Sequence, residues 1–125
     1  MVTIDKKENI DFVNEAVTYL EGKGYENIKA DIPGYETPKS YTKRGKNEIK
    51  ITPDIVAERD GQQHIFELSL KSKKPRLLKS KWMFLDVLSK MKAKRFKIMT
   101  TRGHYKFTRE TLSDIDLEDK KFIKI

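Results

Sequence analysis

The sequence predicts a single α/β domain spanning residues 1–125, with a small mixed β-sheet flanked by helices in the order α-β-β-β-α-β. Three observations predict it. Helical spacing of apolar residues recurs in separate stretches, two strand-like runs flank Asp60-Gly61, and 125 residues suffice for one modest core.

The elements follow in order. Residues 9–21 read as a helix, because Val13, Ala16, Val17 and Leu20 recur at helical spacing and Gly22 and Gly24 end it. Residues 26–36 look extended, with a turn at Pro33-Gly34. Residues 38–47 are polar and read as an exposed loop carrying Lys43 and Arg44, flanked by Tyr35 and Tyr41. Ile49 to Arg59 and Gln62 to Leu70 are two strands, and Asp60-Gly61 between them is a strong hairpin signal. Lys71 to Lys79 reads as a basic connector containing Pro75. Ser80 then caps a second helix with an apolar face of Trp82, Phe84, Leu85, Leu88 and Met91. Residues 96–99 form a strand, residues 104–107 suggest another, and Thr108 caps a last helix near 109–117.

Composition narrows the function classes. With no cysteine, disulfide scaffolds, thiol nucleophiles and cysteine-ligated metals are excluded. No apolar run approaches the roughly 18 residues of a membrane span, and residues 1–10 lack a signal-peptide pattern, so the expected setting is intracellular, in the cytoplasm and off the membrane. The net charge of +8 is concentrated: residues 71–97 hold eleven basic groups and one acid, Asp86, while the other 98 residues hold 16 basic and 18 acidic groups. Such density suits a polyanion, since each neutralised phosphate releases condensed counterions. A solvated helix face is the plainer explanation of the same charges.

Folding the hairpin on a two-residue turn pairs Val56 with Ile65, Ile55 with Phe66 and Asp54 with Glu67. Directly opposed residues share a face with Cβ atoms about 4.5–5.5 Å apart, so the two carboxylates repel. A divalent cation would relieve that, since Mg²⁺ is held by one or two carboxylates together with water and phosphate, and so would an exposed sheet end where water and nearby lysines solvate the pair. The same face continues through Ser69 and Lys71 on one strand and Thr52 and Lys50 on the other, setting Lys50 against Lys71. His64 lies on the opposite face with Phe66 and Leu68, where a packed role is expected.

Pro53-Asp54, the hairpin and Glu67-Leu68-Ser69 together resemble the PD-(D/E)XK nuclease signature, and the element order over residues 9–100 is similar to that restriction endonuclease-like core. The resemblance implies a Mg²⁺-dependent nuclease acting on DNA more readily than RNA, with Mn²⁺ able to substitute. It implies Asp54 and Glu67 as metal ligands, with the Leu68 carbonyl as a third. It sets the 38–47 loop (Lys43, Arg44) and the segment with Lys73, Lys74, Arg76, Lys79 and Lys81 near the nucleic acid. Two departures stand out. The family's lysine falls at Ser69, which leaves Lys71, about 7 Å further along the strand, as the first substitute and Lys50, Lys79 and Lys81 behind it. The glutamate of the family's first helix has no counterpart, since Val13, Ala16 and Val17 face inward and Glu15 outward. A non-catalytic nucleic-acid binder on the same scaffold, or a subunit acting with a second copy or a partner, is the competing expectation.

Overall fold

The computed structural model describes residues 6–45, 48–71 and 74–125. Ten elements follow in sequence: α1 (Lys6–Gly22), β1 (Glu26–Ala30), β2 (Tyr41–Lys43), β3 (Ile49–Ile51), β4 (Ile55–Arg59), β5 (Gln62–Ser69), α2 (Pro75–Met91), β6 (Arg95–Thr100), α3 (Tyr105–Asp114) and β7 (Phe122–Lys124). Five strands form one mixed sheet in the order β1-β4-β5-β6-β7, antiparallel from β1 to β5 and parallel from β5 to β7. β2 and β3 pair separately as a two-stranded flap. The α/β class and the mixed sheet with flanking helices are as the sequence predicts.

The hairpin sets the register on which the site depends. Asp60 and Gly61 both have positive φ, 54° and 77°, as a tight turn matching the strand twist requires. Arg59 therefore faces Gln62, Val56 faces Ile65 and Ile55 faces Phe66, the expected pairs. β5 is central and its residues alternate between two cores. Phe66 and Leu68 join Phe12, Val13, Ala16, Val17 and Leu20 of α1. Ile65 joins Leu78, Trp82 and Leu85 of α2 on the other face, with Leu112 of α3. Val13, Ala16 and Val17 do face the sheet, and Glu15 is exposed.

The structure corrects several expectations. The apolar run from Ile49 to Arg59 is two strands, because Pro53 has no N–H to continue the ladder and the chain breaks at Thr52-Pro53. Lys50 consequently pairs with Thr42 in the flap and does not oppose Lys71. Residues 41–43, read as loop, are a strand of that flap. α2 starts at Pro75 instead of Ser80: proline suits the first helical position, where its missing N–H costs nothing, so Arg76 and Lys79 are helical. At the far end of α2 Met91 is exposed and outside the apolar face, while Leu78 belongs to it. Residues 105–107 begin α3 and are not a strand; Thr108 lies inside it, its hydroxyl donating to the His104 carbonyl four residues back at 2.8 Å. β7 has no counterpart in the sequence reading; three residues are too short a run to signal a strand.

Candidate active site

Asp54 immediately precedes β4 and Glu67 lies in β5, both on the face that α2 covers. Their positions are locked by two reciprocal hydrogen bonds. The Asp54 backbone N–H donates to Glu67 Oε2 at 2.8 Å, and the Leu68 N–H donates to Asp54 Oδ2 at 2.9 Å. The carboxylate pair inferred from the hairpin is thus present. Because a strand residue's N–H and C=O leave the backbone on the same side, the Leu68 carbonyl points toward the Asp54 edge as well.

The cation between the carboxylates is Lys81. Its ammonium lies 3.1 Å from Asp54 Oδ1 and 3.0 Å from Glu67 Oε1, with 11%, 8% and 0% of the three side chains exposed. It donates a hydrogen bond to Asp54 and forms an ion pair with Glu67 Oε1, a buried oxygen with no other donor among the described residues. Lys81 can sit here because α2 begins early. Leu78, Trp82 and Leu85 form the buried stripe, and Lys81, three residues after Leu78 and four before Leu85, is on its edge. That spacing was readable in the sequence once the helix start is moved to Pro75.

Burial and then the neighbouring Asp54 carboxylate push Glu67 from 4.5 up to about 8, against the opposing pull of Lys81. Burial alone would lower Lys81, but Glu67 and Asp54 outweigh it and hold the ammonium firmly protonated. The shift on Glu67 has a sign. A carboxyl raised in the folded state opposes folding once the unfolded chain ionises, so stability falls as pH rises from about 4.5 through about 8. His64, lowered chiefly by burial, acts in the opposite sense, and its effect is complete above its ordinary value of 6.5. Melting temperature is therefore expected to drop between pH 6.5 and 8, and Glu67→Gln is expected to flatten that slope; an unchanged slope in the variant would assign it elsewhere.

Ser69, the position at which the sequence resemblance implies a lysine, is fully buried and engaged otherwise. Its hydroxyl lies 2.6 Å from that of Thr108, and its carbonyl accepts a hydrogen bond from Thr100 Oγ1 at 2.7 Å. Thr108 Oγ1 also lies 3.2 Å from Thr100 Oγ1. α3 thus closes over this end of β5 with hydroxyls, where a lysine would have no room. Lys71 lies one residue past Leu70 with an exposed side chain, and its backbone N–H donates to His104 Nδ1 at 2.8 Å. It is Lys81, one of the three substitutes placed behind Lys71 on the sequence, that meets the carboxylates.

The remaining basic residues divide. Lys79 pairs with Asp114 at 2.9 Å and Lys90 with Asp86 at 3.0 Å, so part of the positive run is neutralised internally. Lys43, Arg44, Lys74 and Arg76 are exposed, and Lys73 lies outside the described residues. His64 is packed, stacked on Phe66 with ring centroids 5.7 Å apart and edge-on to Tyr25 at 5.1 Å. Among the described residues no third Asp, Glu or His joins Asp54 and Glu67, and no helix is long and apolar enough to cross a membrane.

Fold and site together define an α/β protein with a buried carboxylate–lysine cluster at the end of a central hairpin. No family model matches the sequence, and no curated protein matches it.

Proposed function

We propose that the protein is a metal-dependent nuclease with a restriction endonuclease-like core, cleaving phosphodiester bonds of DNA at the Asp54–Glu67–Lys81 cluster. The observation that carries the reading is two carboxylates brought together in the interior with a lysine, although neither folding nor packing favours burying three ionisable groups. The donor set suits Mg²⁺ or Mn²⁺: all-oxygen ligands from Asp54, Glu67 and the Leu68 carbonyl, with Glu67 Oε1 buried and met by no donor but the Lys81 ammonium among the described residues. When bound, such an ion would supply an activated water and polarise the scissile phosphate.

The chain's own residues do the rest. Asp54 and Glu67 hold each other in place through the backbone N–H groups of Leu68 and Asp54, so the oxygens are preorganised. Lys81, protonated throughout the neutral range, offers its charge to the negative charge that develops on phosphate. The exposed Lys71, Arg76, Lys43 and Arg44 would grip the backbone of the nucleic acid. The test is cleavage of supercoiled plasmid with Mg²⁺ or Mn²⁺, with wild type beside Asp54→Asn, and isothermal titration of Mn²⁺ as a second readout.

A specific observation favours a second reading, a non-catalytic nucleic-acid binder. The Lys81 ammonium already neutralises the pair in the way a metal would. On that reading Mn²⁺ gives no binding heat, neither protein cleaves, and DNA is still retarded on a gel in EDTA.

A further inference from the structure

α2 lies over β5 and β6, and beside it the same sheet face forms an open trough along β1, β4 and β5. The trough has a volume of about 650 Å³, within the usual range of small-molecule sites. Half-buried Val56 lies at its base, paired with the fully buried Ile65; they are the facing pair next along this face from Asp54 and Glu67. At two residues' rise the floor is therefore about 7 Å from the carboxylates. Tyr41 of the flap forms one wall, with Lys94 donating to its hydroxyl at 3.0 Å. Lys29 and Lys39 stand at the rim; Lys29 is 3.8 Å from Glu36, while Lys39 is exposed and has no ion pair among the described residues.

Val56 at the base, an aromatic wall and the ammonium groups of Lys29, Lys39 and Lys94, which outnumber the lining carboxylates Glu36 and Glu58, match what an unpaired nucleotide requires: a base stacks on the aromatic surface while lysines meet its phosphates. A recess of this size has room for one base with its sugar, and a base held within a duplex stack presents no free face to it. We propose that the trough receives an unpaired nucleotide of a DNA strand passing the carboxylate cluster, so that the protein prefers single-stranded or frayed DNA to closed duplex. The inference deepens the nuclease reading by naming its substrate form, but the pocket itself needs no catalysis.

The test is fluorescence anisotropy in EDTA with a labelled single-stranded oligothymidylate and a blunt duplex of equal length. The single strand is expected to bind at least tenfold tighter. Tyr41→Ala is expected to weaken single-strand binding about tenfold, as removal of one stacking partner does. Lys39→Ala is expected to weaken it severalfold and to lower its salt dependence, with duplex binding unchanged in both variants. Equal or tighter binding of the duplex, or wild-type affinity in a Lys39→Ala protein with normal melting, would overturn the proposal. Lys39 decides should Tyr41→Ala fail to fold, because Lys39 is exposed. Single-stranded RNA bound with the same sensitivity to both variants supports the trough and leaves the sugar unselected. Because every arm is metal-free, a protein that binds as expected yet never cleaves separates failure of the nuclease reading from failure of this one.

Discussion

Lys81→Met is expected to destabilise the protein by about 3–5 kcal/mol at pH 8, the usual cost of removing one partner from a buried ionic cluster. The ammonium is the only cation within ion-pair distance of Asp54 and Glu67 among the described residues, and both side chains are nearly or fully inaccessible. Without it, the two carboxylates, each held by a backbone N–H, are left without a cation in a dry space. The loss should depend on pH, because Lys81 is the group that draws Glu67 downward. In its absence Glu67 holds its proton to still higher pH, so the difference between variant and wild type grows as the pH rises toward 8. Urea unfolding at pH 5.5 is thus expected to show a smaller penalty than at pH 8. Glu67→Gln in the Lys81→Met background is expected to restore part of the pH 8 stability. Wild-type stability of Lys81→Met at pH 8 would mean that the carboxylates are solvated in a way their burial does not suggest.

Asp54→Asn is expected to lower metal-dependent cleavage by roughly 10³-fold or more, several kcal/mol of transition-state stabilisation being the scale of a metal's contribution. The amide keeps the shape of the carboxylate and one acceptor oxygen, so the hydrogen bond from the Leu68 N–H can survive and the fold should hold. DNA affinity should change little, since the exposed lysines and arginines are untouched. Cleavage at the wild-type rate by a purified Asp54→Asn protein would remove the carboxylate pair from the chemistry. Loss of both cleavage and cooperative unfolding would instead show that Asp54 serves the fold first, and Mn²⁺ titration of the folded variant separates these roles.

These expectations rest on different parts of the molecule's logic, and not all of it was legible in the chain. The carboxylate pair was, because a hairpin converts sequence separation into spatial opposition: Asp60-Gly61 accepts positive φ at both positions, and the pairing then follows by counting. His64 in the core follows from the same count, since alternate residues share a face. The apolar face of α1 was legible for the analogous reason at a period of 3.6. The lysine was not. Ser80 looked like a cap and Pro75 like a break, and that choice displaced the helix by more than a turn and turned Lys81 from a stripe-edge residue into a member of a charge run.

By itself, then, the sequence determined the class of fold, the central hairpin with its register, and the meeting of Asp54 with Glu67. All of these depend on local backbone preferences and short-range periodicity. Tertiary structure decided which cation meets them and what becomes of Ser69. It also decided that the chain from Thr52 back leaves the main sheet to form a flap beside an open trough. The physical reason is that a lysine's partner depends on the packing of one element over another, here α2 across β5 and α3 over its far end. Long side chains reach several ångströms from their backbone, and spacing along the chain carries no record of what they reach.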